Sequence, residues 1–370
     1  MKKVENVLLI LCGVFIFSAC GGAGNNVHST KDTEIEQDTE NKNITFNYFE
    51  YDEVKNKLVL LETSSNNILA QIPVKDTEII DSYGKISDGY VVVKSTYDED
   101  VNNSKNINGL VFSTGTTKEK FSYEYIIYDD ELNEKEVIDL KSMISSDLIA
   151  EIEEYQSQAM IEPSGQKIAW STMKGIYVLD IKSGELMMHK LEDDRFSTYE
   201  IAFVDENTLG FYRTAGEKVI DTRYGYWNLK EDKLYFSQEK DYSPSLIRVS
   251  GKYMILNDGE DPTTNKSSGK VLIYDCRNNQ AKVLQVDNTE STFADITNDG
   301  KYLIAYYNCN SELTKHRIRV YDVSDEKCVM EKKFKTDTGV NLYDFLNVDK
   351  DYMLIGNGKS GKVIYYAFTT

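Results

Sequence analysis

From residue 44 onward the chain repeats one short pattern at a nearly constant interval. An aromatic or aliphatic run ends in an acidic or amide residue and is followed by a turn. The copies are LVLLE ending at Glu62, IIYD at Asp129, YVLD at Asp180, YGYWN at Asn228, LIYD at Asp275 and RVYD at Asp322, with VIYYA at Ala367 as a degenerate last copy. Successive copies stand 67, 51, 48, 47, 47 and 45 residues apart. A period in the forties means that one supersecondary unit is built again and again, each burying its apolar face against the next.

A second column of residues runs alongside the first. Turn residues followed by an apolar run recur as Ser164-Gly165, Ser250-Gly251 and Asp299-Gly300, with looser copies at Asp88-Gly89, Asp205 and Asp349. Glycine at such a turn supplies the positive φ that a tight hairpin needs, and the alternating apolar residues after it face one side of a pleat. The order within a unit is strand, Asp/Gly turn, strand, loop, strand ending in Asp, turn, strand. That is a four-stranded antiparallel blade, and the fold class it predicts is an all-β propeller. The pattern resembles the TolB-like and YVTN-like propellers, relatives of the WD-repeat class, through the strand-end aspartates Asp129, Asp180, Asp275 and Asp322 and the D/S-G-K turns. It departs from the WD-repeat pattern, having no Trp-Asp and no Gly-His dipeptide. The resemblance therefore implies architecture and binding, and names no activity.

Seven copies predict seven blades. The last copy, Leu342 to Phe368, supplies about three strands, so an N-terminal strand around Ile44 to Tyr51 is expected to complete it and leave no open sheet edge. The 67-residue gap places a long insertion at about 97–120 in the second blade. Between the second and third blades, residues 141–158 carry Met143, Ile144, Leu148, Ile149, Ile152 and Tyr155 at helical spacing, with Ser145 or Ser146 able to cap the start. One short amphipathic helix is expected there, its apolar stripe turned to the core.

The first twenty residues read as a processing signal. Lys2 and Lys3 precede an apolar run from Val7 to Phe17, about half of what a membrane span needs. The run ends in Phe17-Ser18-Ala19-Cys20, which resembles the lipobox of bacterial lipoproteins, although Phe17 stands where that family usually has Leu. The resemblance implies a signal peptide over 1–19 and lipid attachment at Cys20, with several acyl chains giving a stable anchor. Residues 20–43 are almost wholly polar and are expected to form a disordered tether, leaving 44–370 as the propeller domain. The expected location is the outer side of a cell membrane, held by lipid alone.

A formal charge of −19 argues against nucleic acid and against a basic surface drawn to anionic lipid heads. Beyond the signal, Cys276, Cys309 and Cys328 show no metal-ligand spacing and read as small hydrophobes, with one disulfide as the alternative. The three histidines, His28, His189 and His316, stand near no nucleophile motif. Ser171-Thr-Met-Lys174 and Ser267-Ser-Gly-Lys270 match S-x-x-K, but on a strand and in a loop rather than opening a helix. Asp98-Glu99-Asp100 and Asp258-Gly-Glu-Asp261 could offer oxygen to calcium, yet neither fits an EF-hand loop.

No catalytic constellation and no cofactor or metal site is thus predicted. The leading expectation is a non-enzymatic binding or scaffold module, monomeric, for a protein, peptide or glycan. A propeller hydrolase or cyclase around a central metal, and a permanent subunit of an envelope complex, stay open as alternatives. Within the insertion, Leu110-Val111-Phe112 is an apolar triplet amid polar residues and marks a candidate partner-binding site. The competing reading makes it a small hairpin strand.

Overall fold

The computed structural model describes residues 47–52, 55–62, 67–97, 122–155, 157–190, 200–213, 223–237, 244–258, 260–261, 266–267, 269–286, 292–309, 314–335, 340–348, 351–358 and 363–369. The first sheet has three strands, β1 (Asn47–Asp52), β2 (Lys57–Glu62) and β3 (Asn67–Pro73). The second has four, β4 (Glu78–Ile86), β5 (Gly89–Thr96), β6 (Ser122–Tyr128) and β7 (Glu134–Asp139), and is followed by helix α1 (Ser146–Glu154). The third is β8 (Met160–Ile161), β9 (Lys167–Ser171), β10 (Gly175–Asp180) and β11 (Leu186–Lys190); the fourth is β12 (Glu200–Asp205), β13 (Thr208–Arg213), β14 (Arg223–Asn228) and β15 (Lys233–Phe236). The fifth is β16 (Pro244–Ser250), β17 (Tyr253–Asp258), β20 (Lys270–Asp275) and β21 (Gln280–Gln285), with a two-stranded ribbon of β18 (Glu260–Asp261) and β19 (Lys266–Ser267) between its second and third strands. The sixth is β22 (Thr292–Ile296), β23 (Tyr302–Asn308), β24 (Lys315–Asp322) and β25 (Lys327–Lys335). A last, three-stranded sheet is β26 (Val340–Val348), β27 (Asp351–Gly358) and β28 (Val363–Thr369).

The copy at Glu62 ends the middle strand of the three-stranded first sheet, the others lie at third strands, and where the motif ends in aspartate that residue clips the turn that follows. Asp180 accepts from Ser183 N at 2.8 Å, Asp275 from Arg277 N at 3.0 Å and Asp322 from Ser324 N at 2.9 Å. A carboxylate that satisfies turn N–H groups competes well with water for them, which explains why this position recurs. The glycine column supplies the first-to-second-strand turns, with positive φ at Gly89, Gly165, Gly251 and Gly300.

The core lies in layers between neighbouring sheets. Sheets one and two enclose Phe49, Leu58, Leu60, Tyr90 and Val92. Sheets two and three enclose Tyr123, Tyr125, Trp170 and Leu179 together with Leu140, Leu148 and Ile152. Similar layers join sheets three to four, four to five and five to six. Each large side chain so buried contributes on the order of 1.5–3 kcal/mol, and the stacking of neighbours is what makes an isolated blade insufficient.

The expectation of seven blades is corrected: the propeller has six. Contact runs in an unbroken series from β1 on β4 through β8, β12 and β16 to β22, and the five core layers join these six sheets. The sheet β26–β28 has three strands and makes no contact of comparable extent with a neighbour among the described residues. Counting third strands counted this terminal sheet as a blade. The expected closure is overturned too. β1 does not join the last sheet but pairs with β2, with Phe49 opposite Leu60. A hairpin partner a few residues away closes a far shorter loop than a partner at the other end of the chain, and Tyr51 hydroxyl bonds Asn56 Oδ1 at 2.5 Å across that turn.

The helix forms where its apolar spacing placed it, though shorter. Ser145 is the N-cap and its Oγ accepts from Leu148 N at 3.2 Å. Leu148, Ile149 and Ile152 are buried in the layer between blades two and three. No helix among the described residues is long and apolar enough to cross a membrane.

Candidate functional site

The two faces of the propeller differ in the length of their connections. Turns joining first to second strands and third to fourth strands lie on one face, here the lower, and none joins strands more than a few residues apart: 86 to 89, 180 to 186, 228 to 233 and 275 to 280. Connections joining second to third strands, and blade to blade, lie on the upper face. They include 96 to 122, 190 to 200 and 213 to 223, and the helix α1. In the three-stranded first sheet the β1–β2 turn is an exception and belongs above, because Val74 N bonds Asn56 O at 2.9 Å in the same region where Tyr97 N bonds Thr77 O at 2.9 Å.

The longest upper connection leaves and re-enters the fold at a polar cluster. Tyr97 stands just after β5 and Tyr123 near the start of β6. Asp81, at a register shift in β4, accepts from Ser95 Oγ, and Trp170 Nε1 donates to the Tyr123 hydroxyl at 2.9 Å. Burial raises the phenol of Tyr97 well above its ordinary value, and the nearby carboxylates of Asp81 and Glu153 add to it. Tyr123 is raised in the same way and by the same carboxylates. Both phenols thus remain protonated; Tyr123 is buried with its hydroxyl bonded by Trp170, while Tyr97 is half-buried, so its hydroxyl beside the two carboxylates is the one that can exchange hydrogen bonds with hydroxyl or amide groups. Sequence reading missed this site. Its trace was the aspartate inside the otherwise apolar-patterned strand EIIDSYGKI and the glutamate pair ending the helix.

A second group moors the helix beside it. Glu151, buried, accepts from Thr172 Oγ1 and from the Tyr177 hydroxyl at 3.1 Å each, and pairs with Lys174 Nζ at 2.5 Å. Lys174 is the lysine of the first S-x-x-K match, so its ammonium is engaged by Glu151. Across the propeller, Arg248 on β16 reaches the Tyr306 hydroxyl with Nη2 at 3.4 Å. In the first sheet Glu50 is pushed up to about 7, by burial first and then by the charge of Asp52.

Other sequence candidates fall as follows. Cys20, Leu110, Val111, Phe112 and Asp98 to Asp100 lie outside the described residues. His189 sits 5.9 Å from the Trp227 ring and His316 is buried, stacked at 5.0 Å on Phe334. Cys276 is a buried free thiol, Cys309 half-buried and Cys328 exposed. Among the described residues no three His, Cys, Asp or Glu side chains are grouped to hold a metal ion.

No protein-family model and no curated protein matches the sequence. Solved structures do match. The β-propeller domain of Cps50 (Swd1) from Myceliophteria thermophila aligns with a TM-score of 0.53 at 11% identity over 88% of this chain and 100% of that one. KlHsv2 with loop 6CD replaced by a Gly-Ser linker aligns at 0.50 and 9% identity over 88% and 98%. Dipeptidyl peptidase 4 of Porphyromonas gingivalis aligns at 0.50 and 12% identity over 88% of this chain and 50% of that one, so the chain spans half the length of the peptidase. At such identities the likeness shows a WD40-like β-propeller fold and leaves activity open.

Proposed function

We propose that the chain is a lipid-anchored, extracytoplasmic β-propeller that binds a protein, peptide or glycan on its upper face. The observation that carries this reading is the asymmetry of the connections. Short, aspartate-clipped turns make one face rigid, while the long connections, the helix and the polar cluster at Tyr97 and Tyr123 collect on the other. Loops held on a rigid scaffold are where binding is built. Phenols that stay protonated beside carboxylates suit ligands rich in hydroxyl or amide groups.

The anchor half of the reading rests on the Phe17-Ser18-Ala19-Cys20 box and the polar residues after it. Cys20→Ala should release the protein from membranes while its melting temperature is unchanged; membrane retention of the cleaved mutant would overturn the anchor. The binding half is tested by capture from a cell-envelope extract. Replacing Leu110, Val111 and Phe112 with serine should abolish capture of the partner that the parent chain retains, without lowering thermal stability. Capture that persists, or a propeller that unfolds, makes the triplet structural.

A further inference from the structure

Blade one ends in an outer strand unlike those of the other blades. β3 reads NILAQIP and carries no charge, whereas β7, β11, β15, β21 and β25 each carry at least one charged side chain. Charged side chains on an outer strand are a common means of keeping a sheet edge from other surfaces, and β3 lacks them in a chain whose formal charge is −19. A register shift between Leu60 and Leu61 makes Leu69 an extra residue of β3. Such a bulge breaks the alternation that turns every second side chain inward, and Ile68 and Leu69 stand exposed side by side, at 48% and 49%.

This edge is apolar but poorly made for a further strand. The bulge interrupts the row of outward backbone groups at Leu69, and Pro73 has no N–H to offer at the other end. It therefore presents hydrocarbon without a continuous hydrogen-bonding template, which suits a partner that attracts without direction.

The register also places this edge relative to the start of the fold. Asn47, where β1 begins, stands opposite Glu62, and Glu62 stands opposite Asn67. Strands spaced roughly 4.7–4.9 Å apart put Asn67 about 10 Å from Asn47, with Ile68 and Leu69 next along β3. This is the end of the sheet away from the β1–β2 turn, hence the lower one. Only residues 21–46 separate Asn47 from Cys20, the cysteine of the lipobox-like sequence. The apolar pair thus lies beside the point where the segment bearing the proposed anchor joins the propeller.

We infer that Ile68 and Leu69 dock the lower rim of blade one into the hydrocarbon boundary of the membrane that carries the anchor, an inference that rests on the lipid-anchor reading above. Two half-exposed aliphatic side chains bind a bilayer weakly by themselves. A short tether holds them near it at an effective concentration of about a millimolar, where a weak apolar contact is enough. The contact is apolar, in keeping with a chain too acidic for anionic head groups. It tilts the lower face toward the lipid and leaves the upper, ligand-binding face outward.

The test uses the full lipidated chain on phosphatidylcholine vesicles. The chain's two tryptophans, Trp170 and Trp227, are fully buried, so a third placed at the surface reports its own surroundings. Lipid brominated along its acyl chains should quench Leu69→Trp at least threefold more than Val329→Trp, a control at an exposed site on the outer strand of blade six. Adding Ile68→Asp to Leu69→Trp should abolish the excess while the chain stays on the vesicles, and Ile68→Gln gives the same reading if the aspartate variant fails to fold. Equal quenching at 69 and 329 in a chain that the vesicles retain overturns the docking and leaves the anchor standing. A parent chain that the vesicles do not retain overturns the anchor itself. Excess quenching that needs anionic lipid overturns the apolar contact, and a dimer in detergent that Ile68→Asp dissociates assigns the edge to a second copy instead.

Discussion

Gly89 shows how narrowly a single residue is specified in this fold. It turns β4 into β5 at φ +128°, and a Cβ there would stand 2.0 Å from the carbonyl oxygen of Tyr128. The obstruction is backbone of the third strand, so no side chain can swing aside to make room. Gly89→Ala should therefore cost about 1–3 kcal/mol, read as a fall in melting temperature, whereas Gly84→Ala, with open space around it, should cost much less. The turn glycines and the strand-end aspartates were legible in the sequence because their role is local: each satisfies a turn within a few residues of itself. Asp81, Tyr97 and Tyr123 were not legible, because what gathers them is the pairing of β4, β5 and β6 across a 24-residue insertion.

At the scale of elements, the helix is the test of how an insertion is tied to a repeat. Its apolar stripe was readable from spacing, but spacing could not say that Glu151, on the buried side, would be satisfied by Thr172, Lys174 and Tyr177 of blade three. Removing that carboxylate takes the acceptor from the Tyr177 hydroxyl and leaves the Thr172 hydroxyl only the longer bond to Gly175 O at 3.4 Å, at about 1–3 kcal/mol. Glu151→Ala should accordingly lower the melting temperature, and faster hydrogen exchange should appear first in residues 146–154. Loss of protection spread evenly over all blades would show instead that the helix is part of one cooperative unit with the ring. The N-cap is a smaller term: Ser145→Ala should cost about 1 kcal/mol. The blade count failed at this scale. The sequence pattern marks third strands, while blade membership depends on inter-sheet packing, and among the described residues β26–β28 carries the mark without a fourth strand and without inter-sheet contact of the extent that joins the six blades.

For the molecule as a whole, these carboxylates predict a stability profile with two limbs. Asp129 is held below its usual value by Asn133, through side chain and then backbone; Asp322 is held low by Ser324 and the N–H of Asp325. For Asp275, burial works the other way, but Lys252 and the N–H groups of 277 and 278 outweigh it and the net shift is again downward. A carboxylate lowered on folding contributes stability above its unfolded value near 3.8, and that contribution is lost as pH falls through the folded value. These turns therefore make the propeller acid-labile, with the loss concentrated below about pH 4. Glu50 acts in the opposite sense. Its folded value of about 7 exceeds the unfolded 4.5, so the folded state holds a proton that the unfolded chain releases between those values. Stability should decline as pH rises from 4.5 toward 7 and level off above it. Glu50→Gln removes that decline while leaving the acid limb untouched, and should stabilise the protein at pH 8 by roughly 1–2 kcal/mol once solvent screening is allowed for. Melting curves of parent and variant between pH 3 and 9 should coincide at the acid end and separate above pH 5. Curves that stay parallel over the whole range would mean that Glu50 is ionised in the fold, compensated by Lys55, and that the upper limb arises elsewhere.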